Sequence, residues 1–97
     1  MSVMVSVTFQ FKPEAAEMAL EGLKQALPET RAFAGCERVD SYYDAATHTL
    51  LLIELWDKSE SQQAYLGWRA ETGALDAMAD AMAAAPVFTT YDIREDI

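Results

Sequence analysis

From Val3 to Phe11 the chain alternates, with apolar Val3, Val5, Val7, Phe9 and Phe11 on one side and Met4, Ser6, Thr8 and Gln10, polar but for Met4, on the other. A period of two sends successive side chains to opposite faces of a pleated chain, so this segment is predicted to be a strand. Pro13 then suits the first turn of a helix, where a missing N–H costs nothing, and Glu14 and Glu17 place negative charge near the positive end of that helix. Ala16, Leu20, Leu23 and Leu27 recur at helical spacing while Glu17, Glu21 and Lys24 turn outward, which predicts an amphipathic helix over 13–27 ending near Pro28. The stretch from Pro28 to Gly35 reads as a loop or a short continuation.

A second strand is predicted from Cys36 to Asp44, where Val39, Ser41 and Tyr43 alternate with Arg38, Asp40 and Tyr42. The connector Ala45-Ala46-Thr47-His48 is short enough for a hairpin into a third strand, Thr49 to Trp56, although it lacks an Asn-Gly turn signal. From Ser59 the spacing becomes helical again, with Tyr65, Trp68, Thr72, Leu75, Ala79 and Met82 on one face through about Ala84 and with Gly73 as a point where the helix kinks or divides. Pro86 stops the helix, and Val87 to Ile93 alternates as a last strand before the charged tail Arg94-Glu95-Asp96.

The order β-α-β-β-α-β is that of an α+β, ferredoxin-like fold over residues 1–97: a four-stranded antiparallel sheet with two helices on one face. The third strand complicates this picture. Leu50, Leu52, Glu54 and Trp56 point one way and Leu51, Ile53 and Leu55 the other, so both sides of the sheet carry apolar side chains. A half-wet antiparallel sheet has one polar face, so the uncovered side is expected to be buried by a second copy packed sheet to sheet, giving a dimeric α/β barrel. Tyr42 and Tyr43 fall on opposite faces of strand two, one toward the helices and the other toward that interface.

Composition narrows the partners. Sixteen acidic against seven basic residues give a formal charge of −9, which repels nucleic-acid phosphates and anionic lipid headgroups, and no Lys/Arg cluster offsets it. With 97 residues the core is modest, which again favours a partner subunit. The lone Cys36 forms no internal disulfide, the N-terminus lacks a signal-peptide pattern, and no apolar run has the length of a membrane-crossing helix, so a cytoplasmic protein is expected.

No nucleotide-binding glycine motif and no spaced Cys/His cluster is present, so neither a cofactor nor a metal is expected. Cys36 and His48 lie a dozen residues apart along one strand, about 40 Å of extended chain at ~3.3 Å per residue, and so do not form a catalytic pair within a subunit. Glu54 is the residue most out of place, a carboxylate inside Leu50-Leu51-Leu52-Ile53-Glu54-Leu55-Trp56. Either burial raises its pKa into the range of a general base, or it forms a buried ion pair with Arg31 or Arg38. Tyr65 and Trp68 lie three apart on the apolar stripe of helix two, where they either pack the core or line a pocket. Arg69 beside them either neutralises a substrate oxyanion or meets an acidic partner. Met78 and Met82 share a helix face that would floor such a pocket.

The element order, the strand ending Leu52-Ile53-Glu54-Leu55-Trp56, the Asp57-Lys58-Ser59-Glu60 that leads into a helix, and Thr30-Arg31 with Gly35-Cys36 before strand two together resemble the antibiotic biosynthesis monooxygenase family. The resemblance implies a dimeric ferredoxin-like α/β barrel with a pocket between sheet and helices in each subunit. Members include quinol and anthrone oxygenases that use no metal or flavin, haem-degrading enzymes and many proteins with no assigned activity. On this pattern Trp56 matches the family's pocket Trp, a flat surface for a substrate ring. Where many members carry a His about nine residues after that Trp, this chain has Tyr65, whose hydroxyl would replace it as hydrogen-bond donor or proton relay. The chain contains no Asn, on which anthrone-type and haem-degrading relatives rely. Haem degradation is therefore not expected, and an anthrone-type mechanism would have to use other residues. The reading is a cofactor-independent monooxygenase of a quinol- or anthrone-like hydroxyaromatic, with Glu54 and Tyr65 catalytic and Trp56, Trp68 and Arg69 binding substrate. The alternative is a non-catalytic small-molecule-binding or stress-related barrel.

Overall fold

The computed structural model describes residues 2–97. Its elements run β1 (Val3–Gln10), α1 (Ala16–Ala32), β2 (Cys36–Asp44), β3 (Thr49–Trp56), α2 (Ser59–Glu71), α3 (Ala74–Ala79) and β4 (Val87–Asp92), with a 3-10 turn at Pro13–Ala15 leading into α1. The four strands form one antiparallel sheet in the order β2-β3-β1-β4, the ferredoxin-like arrangement expected from the chain order. Val5 lies opposite Glu54 on one side and Thr90 on the other, and Val7 lies opposite Leu52 and Phe88.

Directly paired residues share a face of the sheet, so this register settles which side meets the helices. Along β3, Leu50, Leu52, Glu54 and Trp56 are buried while Leu51, Ile53 and Leu55 are half-buried. The buried row packs with Val5, Val7 and Val39 against Ala16, Ala19, Leu23 and Leu27 of α1, and this is the core. Tyr43, opposite Leu50, belongs to the helix side, and Tyr42, opposite Leu51, to the other. Beside Leu51, Ile53 and Leu55 that other face carries exposed Tyr42, Val87 and Tyr91, with an Arg38–Asp40 ion pair of 2.7 Å on its β2 edge.

Two helices differ from the pattern reading. Helix α1 does not end near Pro28 but runs through it to Ala32. A proline inside a helix removes one N–H bond, here to the carbonyl of exposed Lys24, where water can replace it. The extra turn seats Thr30, only 1% exposed, against the rest of the fold. The predicted helix over 59–84 is divided at Gly73, whose φ of +77° starts α3, and α3 stops at Ala79 rather than near Ala84. The alanine-rich segment after it returns to β1 instead. Met82 bridges to Phe11, Ala83 N–H bonds the Gln10 carbonyl at 2.7 Å, and Lys12 N–H bonds the Ala81 carbonyl at 2.9 Å. Tertiary pairing here overrides helix propensity. The last strand ends at Asp92, one residue short of the prediction.

Two loops fix the register of the layers. Gly35 has φ +92°, and a Cβ there would lie 2.5 Å from the Ser61 Cβ and 2.7 Å from an Asp57 oxygen. Its carbonyl accepts the Asp57 N–H at 2.8 Å, so the entry to β2 is pressed against the start of α2. The β2–β3 hairpin works without Asn-Gly because Asp44 accepts the Ala46 N–H and His48 takes a left-handed conformation, φ 54°. The His48 carbonyl bonds the Phe11 N–H at 2.9 Å, so the backbone of this turn is structural.

Candidate functional site

Between the sheet and α1, α2 and α3 lies a cavity of about 90 Å³. Its walls are mostly apolar, and Thr30, Glu54, Gln62, Tyr65 and Arg69 bring polar atoms to it. A wider groove of about 290 Å³ between α1 and β2 is lined by four leucines, Ser41, Lys24 and Arg31 and contains no acid. The chemistry therefore concentrates in the narrower space.

Glu54 is 4% exposed, and its Oε1 accepts the Trp56 Nε1–H at 2.9 Å. The expected ion pair does not form. Arg38 binds Asp40 on the opposite sheet face, and Arg31 donates to the Val39 carbonyl at 3.1 and 3.3 Å. Among the described residues no cation lies within ion-pair distance of Glu54. Burial accordingly pushes its pKa above the ordinary carboxylate value, and the Trp56 hydrogen bond only partly opposes this. Among the described residues Oε2 makes no hydrogen bond and no fully buried polar side-chain atom lacks a partner, so Oε2 keeps open surface, and Glu54 lines the cavity.

A second polar group ties α2 to α1. Arg69, 8% exposed, donates from Nε to the Tyr65 hydroxyl at 2.8 Å and from Nη2 to the Ala26 carbonyl at 2.9 Å and Thr30 Oγ1 at 3.2 Å. Tyr65 and Thr30 share a hydrogen bond of 2.6 Å. The guanidinium lies 4.6 Å from the Trp68 ring centre and 5.3 Å from that of Tyr65, and Glu29 stands 3.7 Å away at the surface. Such a cation is held by hydrogen bonds and ring faces more than by its one exposed acid. Its Nε and Nη2 hydrogens are spent within the protein and Nη1 faces Glu29, so it acts on the cavity as a fixed positive charge. Phe33 completes the cluster, edge-on to both Trp56 and Tyr65 at 6.4 and 5.3 Å.

Of the five residues singled out in the sequence, Glu54, Tyr65 and Arg69 line the cavity. Trp56 does not: it is fully buried behind Glu54, so the expected stacking surface for a ring is a core side chain that orients the carboxylate. Trp68 lies beyond Arg69 and is also not in the wall. Met78 lines the cavity, whereas Met82 has left the helix to pair with Phe11. Cys36 is half-buried and its thiol pKa is raised, first by burial and then by nearby Glu54, which makes it a poor nucleophile. Among the described residues no group of three or more His, Cys, Asp or Glu is placed to hold a metal ion.

Thr30, Phe33 and Gln62 were not read as part of the site. Gln62 is 3% exposed, and with Tyr65 and Arg69 it forms an i, i+3, i+7 stripe on α2. That spacing was visible, but two of its three members are polar. Thr30 continues the Leu23–Leu27 stripe of α1, which shows only when the helix runs through Pro28.

The sequence profile of the family described as antibiotic biosynthesis monooxygenase matches residues 2–83, and the chain belongs to that family. Solved structures share the fold over nearly the whole length. A conserved protein from Methanosarcina mazei is 17% identical, with 97% of this chain and 94% of that one aligned at a TM-score of 0.85. An antibiotic biosynthesis monooxygenase, also 17% identical, aligns over 95% and 98% at 0.84. A Nitrosomonas europaea protein of unknown function, 16% identical, aligns over 95% and 88% at 0.81. No curated protein matches the sequence. Among the described residues no helix is long and apolar enough to cross a membrane.

Proposed function

We propose that the chain is a cofactor-independent monooxygenase of a quinol- or anthrone-like hydroxyaromatic, with Glu54 as general base. The observation that carries this reading is a carboxyl group buried in an apolar cavity with, among the described residues, no cation in ion-pair distance and one oxygen free. Desolvation makes such a carboxylate a stronger base than one in water. Proton transfer moves the charge from two oxygens onto a delocalised ring system, which a low-dielectric cavity tolerates better, and the neutral Glu54 no longer repels it. The substrate anion passes one electron to O₂, and the radical pair joins as a peroxide anion that takes back the proton from Glu54. For an anthrone-like substrate, whose hydroxyl tautomer has given up its proton and whose former CH₂ carbon has taken the oxygen, loss of water from the resulting H–C–O–OH group leaves a carbonyl, so that CH₂ and O₂ give C=O and H₂O. When Thr30 donates to Tyr65, the Tyr65 hydroxyl keeps its own proton for a substrate oxygen, with the fixed charge of Arg69 behind it.

At about 90 Å³ the cavity is smaller than the roughly 150 Å³ that holds benzene in an engineered apolar core, so a ring system extends through the mouth beside Leu75 and Phe88, both 41% exposed. The reading includes a homodimer packed sheet to sheet, supported by the apolar row Leu51, Ile53 and Leu55 on the face without helices. Ile53→Arg is then expected to convert a dimer to a monomer in light scattering, and a wild-type monomer at micromolar concentration rules the packing out. A cytoplasmic location fits the lone unpaired Cys36.

The internally satisfied Thr30–Tyr65–Arg69 group favours a second reading, a binding protein without chemistry. An oxygen electrode separates the two. Metal-free protein given quinols and anthrones is expected to consume O₂ faster than the spontaneous rate, with Glu54→Gln reducing this about a hundredfold, the low end for a lost general base. Thermal stabilisation by the same compounds with no added O₂ uptake would leave binding alone.

A further inference from the structure

We propose that Gln62 is a specificity-determining residue of this cavity, its carboxamide taking a carbonyl oxygen of the same ligand whose hydroxyl meets Glu54. This rests on the reading that the cavity takes a hydroxyaromatic and narrows the class to rings bearing both a hydroxyl and a carbonyl.

Gln62 is 3% exposed and lines the cavity from the first turns of α2, yet it does not cap that helix. Its Oε1 accepts one long bond from Gln63 Nε2 at 3.3 Å, and its own Nε2 has no partner among the described residues. No fully buried side-chain nitrogen lacks a partner among the described residues, so Nε2, like Glu54 Oε2, keeps open surface, and both residues line the cavity. A buried amide gains nothing over leucine unless something accepts its hydrogens. The other polar groups in the wall differ in this respect. Thr30, Tyr65 and Arg69 bond one another and leave over only the Tyr65 proton, whereas Glu54 and Gln62 each hold a whole terminal atom in reserve. One of these atoms accepts and the other donates. The matching ligand has a hydroxyl for the first and a carbonyl for the second, which is the functional-group pair of a hydroxy-ketone on a ring.

The test is binding, followed by quenching of tryptophan fluorescence, and needs no turnover. The probes are 5-hydroxy-1-tetralone, 1-tetralone without the hydroxyl and 5-hydroxytetralin without the carbonyl. Wild-type protein is expected to bind the hydroxytetralone at least tenfold more tightly than the hydroxytetralin. In Gln62→Leu and in the isosteric Gln62→Met, both ketones should weaken about tenfold and the hydroxytetralin less than twofold. A uniform loss across the three probes in a folded variant, or equal wild-type affinity for the hydroxytetralone and hydroxytetralin, would reduce Gln62 to a packing residue and leave the hydroxyaromatic reading standing. Failure of wild-type protein to bind any of the three overturns both.

Discussion

The two walls of the cavity are built differently. The inner wall, from β3, α1 and α2, is cross-bonded: Trp56 holds Glu54, and Arg69 joins Tyr65, Thr30 and the Ala26 carbonyl in one buried group. The outer wall, from α3 and β4, presents Leu75, Met78 and Phe88; no residue of α3 is buried, and the helix hangs from Gly73 in a left-handed conformation. A base that must meet one proton belongs on the rigid side, where a buried hydrogen bond orients it. Entry of a ring larger than the resting cavity belongs on the side with the least to lose by moving.

The largest test of this contrast compares two glycines that share a positive φ. Gly35→Ala meets Ser61 and Asp57 at contact distances no side chain tolerates, so strain and overpacking together should cost about 3 kcal/mol or more in urea unfolding. Gly73→Ala finds open space and should cost only about 1 kcal/mol, the backbone penalty alone. Equal losses would mean that the walls are equally rigid. Between these lies Arg69→Leu, which strips donors from the Tyr65 and Thr30 hydroxyls and the Ala26 carbonyl and should cost about 2–3 kcal/mol. A loss below 1 kcal/mol would show that the inner group does not brace the fold.

The smallest effect concerns pH. Glu54 holds its proton to higher pH in the folded chain than in the unfolded one, so the native state binds more protons in that window. Stability therefore falls as pH rises from glutamate's ordinary 4.5 toward the raised value and stays lower above it. Glu54→Gln keeps an acceptor for Trp56 without the charge. It should remove this fall and raise the melting temperature at pH 7 by on the order of a few degrees. An unchanged pH profile would show that Glu54 carries no desolvation penalty.

How much of this was legible follows from what each residue's neighbours decide. The alternation in Val3–Phe11 and the interrupted apolar run around Glu54 are local patterns, and they placed the sheet and the candidate base. Gly73 was legible as a division because few other residues tolerate its backbone angle. The far end of α1 was not, since Pro28 is a helix stop only where its lost hydrogen bond cannot be replaced by water. The polar stripe Gln62–Tyr65–Arg69 was read only in part because an arginine or glutamine on a helix normally faces water. Only the partners that α1 brings, Thr30 and the Ala26 carbonyl, make Arg69 a buried residue. The ion pair expected for Glu54 failed with both partners: Arg38 lies on the other face of the sheet, and Arg31 is held by the Val39 carbonyl.

The central claim is a carboxyl group kept free and hard to ionise inside the cavity. Its direct test is a carbon-13 NMR titration of glutamate side-chain carboxyls, with the Glu54 resonance assigned by its loss in Glu54→Gln. The expected result is a Glu54 carboxyl that titrates clearly above the ordinary 4.5 and whose resonance moves when 5-hydroxy-1-tetralone is added. A Glu54 carboxyl that titrates at or below 4.5, or that ignores the ligand, would contradict the account.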